Sequence, residues 1–366
     1  MNMISPKYKL SLRISRGISC LKALSLYAFC LLMPGLMSSC SNSTKEGKAL
    51  HASIGQPSEV LLVLDKEVMA SEVKDTLKAI LECDVPGLTQ SESYFRVSRV
   101  PYSIYKGEML KMHSKLMVRI DDQQAKDKRD GEAQGGVVGC QLKVAYDVDA
   151  KPQIQLLLTA PSVTALREYL QTNAGRVRDL LCDHQLAMQR TYLQRHHSKK
   201  VRNALKEMGL DGLLPEEIAW VKKGDGFLWG SSRTNEKQLN FVCYEYASDG
   251  NEMADLESLV RKRDSVMAVN IPGSMPDQWM ETVWEKEAPV VQLEQRTRDD
   301  RMLSEMRGLW QMRHGAMGGP FVSYSYYDSA RGKTLVVEGF VFSPSTEKRD
   351  LMRRLEAGMR TVKPVE

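Results

Sequence analysis

Residues 1–39 contain no aspartate or glutamate, although Lys7, Lys9, Arg13, Arg16 and Lys22 all fall within them. The chain also lacks an apolar run of the ~20 residues that a bilayer-spanning helix needs. Its longest candidate, from Ala23 to Met37, is broken near its end by Pro34-Gly35. A permanent transmembrane anchor is therefore disfavoured, and a cleaved secretory signal fits: a cationic entry, a short apolar middle and small residues, Ser38-Ser39, at the cut. Excess charge is missing too once that segment is set aside. Of 51 Lys+Arg and 46 Asp+Glu, five cations and no anions lie in 1–39, so 46 of each remain. Net charge then gives no case for nucleic acid as a partner.

Reaction motifs are absent as well. There is no G-x-G-x-x-G, no phosphate loop ending in Gly-Lys-Ser/Thr, no G-x-S-x-G elbow and no H-E-x-x-H helix, so no cofactor is expected. Cysteine is sparse and irregular. Cys20 and Cys30 leave with the signal, Cys40 stands at the cut, and Cys83, Cys140, Cys182 and Cys243 are too unevenly spaced for a disulfide framework. An oxidising compartment would allow them to pair in three full connectivities, and buried free thiols are the alternative.

The cut site, Met37-Ser38-Ser39-Cys40, resembles a bacterial lipoprotein signal, with Met37 where leucine is more usual. The resemblance implies that Cys40 receives lipid and becomes the first residue of the mature chain. Acyl chains at ~0.8 kcal/mol per buried CH₂ would then hold a soluble body to a membrane, and the polar stretch from Ser41 to Lys48 would serve as a tether. The plainer alternative is a secreted protein with an incidental cysteine. Ser41 is not the aspartate that usually retains such lipoproteins in the inner membrane, and no acidic export run follows. The resemblance thus implies an outer-membrane lipoprotein facing the periplasm.

Beyond the tether (40–57), hydrophobic patterning divides the chain into a first lobe over 58–210 and a second over 211–366. Glu59–Leu64 reads as a buried strand. Val68, Val73, Leu77, Ile80 and Leu81 keep helical spacing until Pro86-Gly87 stops them. Strands follow at 94–100 and 116–120, then a polar loop over 121–136, then a hairpin formed by 141–146 and 153–159. The longest helical pattern covers 163–208, with Gly175 a place for one interruption. Its second half carries Arg190, Arg195, Lys199, Lys200 and Arg202, with His196 and His197 among them. Such a patch either meets anionic lipid or is the solvated back of a helix. His184, His196 and His197 lack a carboxylate or cysteine to complete a set, so no metal site is expected.

Every tryptophan lies beyond Met208, either filling a core or forming a platform for sugars. The second lobe reads as strands at 227–232 and 238–246, a helix over 253–265 ending in Arg261-Lys262-Arg263, a strand at 290–293, an amphipathic helix over 299–310, and a hairpin, 321–327 with 334–342, turning at Gly332. Ser343-Pro344-Ser345 opens a last helix whose Leu351, Leu355 and Met359 are four apart. The same plan, a strand ending at Pro-Ser and becoming a helix, occurs at Pro161-Ser162. The expected fold is therefore α+β, two similar lobes of antiparallel sheet backed by helices.

One segment invites a catalytic role. In Arg313-His314-Gly315-Ala316-Met317-Gly318-Gly319-Pro320-Phe321, glycines admit backbone amides to an anion and His314 is able to move a proton. Gly318-Gly319-Pro320 equally serves as a bend into a strand. Met317–Ser323, Val337–Val341, Pro344 and Lys348-Arg349 through Leu355-Glu356 resemble an uncharacterised lipoprotein family of Bacteroidetes-type bacteria, a domain of unknown function. That resemblance implies a cell-envelope role and brings no catalytic residues with it. The expected function is a lipid-anchored binding or assembly factor, with an envelope protein or anionic lipid as partner. The alternative is a periplasmic hydrolase using His314 beside a buried carboxylate.

Overall fold

The computed structural model describes residues 50–121, 139–284, 291–298 and 301–365. The signal, Cys40 with most of its tether, and the polar loop after Asp121 lie outside those residues.

The first sheet is set by a run that has no polar face. After the two-residue β1 (His51–Ala52), β2 (Glu59–Leu64) buries Val60 to Leu64 without interruption, so it needs cover on both sides, as strands of parallel sheets do. It pairs in parallel with β3 (Arg96–Pro101) and β4 (Ser114–Ile120). β5 (Gln141–Tyr146) is joined through the short β6 (Ala150–Lys151) to β7 (Ile154–Ala160), which pairs in parallel with β4 and antiparallel with β5. The order is β3-β2-β4-β7-β5. The antiparallel sheet expected here is corrected to a mixed one. Only the β5/β7 hairpin had a local signature, because parallel neighbours are joined by long crossovers that leave none.

Helices α1 (Lys66–Ala70), α2 (Val73–Leu81) and α3 (Val163–Leu193) cover one face, where Leu62, Leu116, Leu156 and Leu158 meet Leu77, Leu81, Leu166 and Leu170. Leu61, Val63 and Met117 fill the opposite face beside Tyr102 and Tyr105. The helical pattern expected to run to Met208 breaks at Gln194–Ser198, not at Gly175. There the Ser198 hydroxyl accepts from the Val201 amide at 3.2 Å and starts α4 (Lys199–Glu207), an N-cap that fixes a new helix start. Val201, Ala204 and Leu205 of α4 enter the second core, so α4 packs with the second sheet.

After β8 (Leu210–Asp211), the second sheet runs through β9 (Trp220–Gly224), β10 (Phe227–Ser231), β11 (Gln238–Ala247), β12 (Met280–Thr282), β13 (Gln292–Arg298), β14 (Arg301–Met312), β15 (Gly318–Asp328) and β16 (Lys333–Phe342). Their order is β12-β14-β15-β16-β11-β10-β9, with β13 also on β14, and every pairing is antiparallel. The helix expected over 299–310 is thus replaced by a strand. Leu303 enters one core and Met306, Trp310 and Met312 the other, while Met302 is exposed. Apolar residues on both faces mask the period of two and imitate helical spacing.

Helix α5 (Leu256–Asn270), longer than the expected 253–265, covers one side of this sheet, with its Leu259, Val260 and Met267 packed over Tyr244 and Phe321. Helix α6 (Arg349–Met359) and α4 cover the other, over Phe241, Tyr324 and Val337. The last strand, β17 (Lys363–Pro364), pairs with β8. Helices back both sheets, the class is α+β, and both Pro-Ser junctions lead from a strand toward a helix. Cys83, Cys140, Cys182 and Cys243 are free thiols.

The Gly-Gly-Pro motif has a packing explanation. A Cβ added at Gly319 would collide with the Val341 carbonyl oxygen and press on the Trp310 indole nitrogen. Since backbone cannot yield as a flexible side chain does, Gly319→Ala is expected to cost about 1–3 kcal/mol, read as a lower urea midpoint.

Candidate functional site

Helix α3, 31 residues long, runs beyond the first core. Its Leu166, Leu170, Val177 and Leu181 serve the first core, and beyond them Leu186 and Leu193 pack on Ala357 of α6. The seam between the two sheets is therefore lined by one helix from each side, and charged side chains meet there.

Its deepest contacts are closed on themselves. Arg307 of β14 grips Glu356 of α6 through both terminal nitrogens, at 3.0 and 2.6 Å, and turns its Nε to Glu305 at 2.6 Å. The Tyr324 hydroxyl donates to the same Glu356 at 3.2 Å. Burial pushes the Glu356 carboxyl up, but the guanidinium of Arg307, with Arg360 and Arg353 behind it, outweighs burial and holds it down at about 2. Arg360 reaches back to Asp183 of α3 at 2.8 Å. These bidentate, charge-assisted bonds lock α6 against both the sheet and α3.

Above them lies a cavity of about 260 Å³, lined by Ser58, His113, Gln185, Met188 and Arg353 among others. Arg353 donates to Gln185 Oε1 at 2.5 Å, to Ser58 Oγ and to the Tyr94 carbonyl at 2.8 Å; its Nη2 lies 3.7 Å from Cys182 Sγ, and its plane sits 5.0 Å from the Phe95 ring. All of these acceptors are neutral. Burial pulls the arginine's pKa below its usual value. The carboxylate lining the same cavity, Asp350, is itself held by Arg96 and Arg349, each at 3.1 Å, and by Ser58 at 2.5 Å.

Two further groups complete the lining. Gln185 is buried, and because Arg353 is a donor only, the amide must present Oε1 to it. Its Nε2 is then left without a hydrogen-bond partner among the described residues. His113 Nε2 lies 3.0 Å from the Gln56 carbonyl, so this nitrogen carries the proton and Nδ1 accepts from the Ser114 hydroxyl at 2.8 Å. Ser114 is fully buried, which makes the pair a brace for the ring. The ring packs so closely on the chain that a Cβ at Gly55, whose φ is +121°, would lie 2.8 Å from His113 Cδ2. Chemically, the cavity offers an arginine that no carboxylate contacts among the described residues and a spare amide donor, beside an apolar wall.

The residues singled out from sequence lie elsewhere. His314 sits on the turn between β14 and β15 with φ +53°. Its side chain is 58% exposed and 3.1 Å from Asp277, which is 66% exposed. The solvated pair does not provide the buried carboxylate that the hydrolase alternative asks for. Arg190 is half-buried on α3, whereas Arg195, Lys199 and Lys200 are exposed near the α3–α4 turn. Arg202 is engaged by Asp211 at 2.7 and 2.8 Å, and that hydrogen bonding lowers the Asp211 pKa. His196 stacks on Tyr192 with ring centres 4.4 Å apart. Cys40 lies outside the described residues. What sequence reasoning missed did leave one sign: Arg349, Arg353, Glu356 and Arg360 are spaced four, three and four apart, a charged stripe beside the apolar face of α6.

Residues 53–194 match a domain of unknown function (DUF8532), and residues 197–361 match another (DUF4837). Among curated proteins none matches the chain. The two matches meet in the turn between α3 and α4. Ser58, His113 and Gln185 thus come to the cavity from the first domain, and Arg353 from the second.

Proposed function

We propose that the protein is a lipid-anchored binding factor of the cell envelope, akin to the lipoproteins of Bacteroidetes-type bacteria, that holds a compact anion between its two domains. The observation that carries this reading is Arg353, whose guanidinium meets only neutral acceptors among the described residues, at the wall of a cavity. A carboxylate or phosphate oxygen there would replace one of those neutral acceptors with a charge-assisted bond, and the Gln185 amide would gain an acceptor. Among the described residues no helix is long and apolar enough to cross a membrane. In this reading acyl chains on Cys40 hold the protein to the periplasmic face of the outer membrane, with an envelope protein or anionic lipid as partner.

Thermal unfolding of the mature chain in inorganic phosphate, citrate and uncharged glycerol tests the binding. The two anions are expected to raise the midpoint, by the equivalent of ~2.7 kcal/mol at a hundredfold excess over Kd, and Arg353→Met to remove the rise. No rise, or one that survives Arg353→Met, rejects the site. Cell fractionation tests the anchor separately: Cys40→Ser should move the protein from the membrane to the soluble fraction.

A further inference from the structure

On the α5 side of the second sheet lies another pocket, of about 300 Å³, between the Pro272–Ser274 loop and the Gly315–Met317 turn. In a chain of which 27% is charged, none of the described side chains lining it is ionisable. Its walls are aromatic, with Trp229, Trp310, Phe340 and Phe342 all contributing. We propose that this pocket binds a neutral sugar.

Asn240 carries the inference. It is 1% exposed, and its Oδ1 accepts from Trp229 Nε1 at 3.1 Å and from Gln238 Nε2 at 3.4 Å. An indole nitrogen only donates, so the amide cannot be turned round. Its Nδ2 therefore has no acceptor among the described residues. Buried donors are ordinarily satisfied, and an oxygen of a bound molecule would satisfy this one.

The surroundings narrow the class of that molecule. An ionic ligand would find no counter-charge, and a purely apolar one would leave Asn240 as it is. A sugar ring presents hydroxyl oxygens to amides and a C–H face to aromatic walls, which bear the complementary negative face of their quadrupole. The walls are also fixed in advance. Trp229 is braced edge-on by Trp220 with ring centres 5.0 Å apart, and the Trp310 N–H is tied to the Val341 carbonyl at 3.2 Å. At the mouth, Gln278 accepts from Ser274 Oγ at 3.2 Å and donates to the His314 carbonyl at 2.8 Å, joining the two loops. Little ordering remains for a ligand to impose.

The mature chain is titrated with glucose, maltose and N-acetylglucosamine, and with N-acetyl-leucinamide as a neutral amide of the peptide class. Tryptophan fluorescence and calorimetry provide the readouts. At least one sugar should give a saturable change in both, weakened tenfold or more by Asn240→Leu and several-fold by Gln278→Ala. Should Asn240→Leu fail to fold, Gln278→Ala at the rim decides. Absence of saturation with all three sugars overturns the proposal, as does equal or tighter binding of the amide, or full sugar affinity in the folded variants.

Discussion

Glu338→Gln is expected to lower the unfolding free energy by about 3 kcal/mol, because it leaves a buried arginine with only the partly exposed Asp264, 3.3 Å from its Nη1, as counter-charge. Arg263 and Glu338 have side-chain exposures of 1% and 0%. Arg263 donates to Glu338 from Nε at 2.9 Å and from Nη2 at 2.7 Å, and to Thr282 Oγ1 from Nη1 at 2.8 Å, while its plane lies 3.9 Å from Phe321. Burial alone would lower the guanidinium's pKa, but the adjacent carboxylate of Glu338 outweighs it and raises the value above the usual one. Glutamine keeps the size of the side chain and removes the charge that makes the site tolerable. Taking both charges away has the opposite logic: Arg263→Met with Glu338→Leu should recover most of the loss, since neither ion is then stranded. Urea unfolding of the single and double variants checks this. A double variant as unstable as the single would trace the loss to packing, and a single variant within about 1 kcal/mol of wild type would deny the pair its importance.

That ion pair shows why parts of the fold were not legible in the sequence. Arg263 ends the triplet Arg261-Lys262-Arg263, which reads as solvated, and its partner lies 75 residues away. Neither residue announces the other. Features with local causes were legible: the β15/β16 hairpin turns at Gly332 with φ +58°, and Leu355 and Met359 are buried on α6 at their helical spacing. β14 was misread because it is covered on both faces, and the first sheet because parallel neighbours are distant in sequence. The candidate cavity has the same difficulty in stronger form. Ser58, His113, Gln185 and Arg353 come from four separated segments, and only the charged stripe on α6 hinted that polar side chains face inward there.

Acid should destabilise the protein in two steps, and the upper one should belong largely to His184. That side chain is 8% exposed on α3, and its Nε2 has no hydrogen-bond partner among the described residues. Burial is the largest cause of its low pKa, and the neighbouring His113 adds to it; the charge of Asp147 opposes them, and the balance is about 4 against an ordinary 6.5. Between those values the unfolded chain binds a proton that the folded chain refuses. The contribution is therefore fully present above about pH 6.5 and is lost as pH falls toward 4, a change on the order of 3 kcal/mol. His113, whose pKa is also lowered, chiefly by burial, acts in the same direction. Glu356 enters later, because its carboxyl is held at about 2 against an ordinary 4.5, so its contribution is lost only below about pH 4.5. Urea midpoints at pH 7, 5.5 and 4.5 should fall steeply for wild type and much less for His184→Gln, while both proteins weaken alike below pH 4. Equal slopes between pH 7 and 4.5 would mean that protonation of His184 is accommodated in the fold, and the acid sensitivity in that window would then have to come from His113.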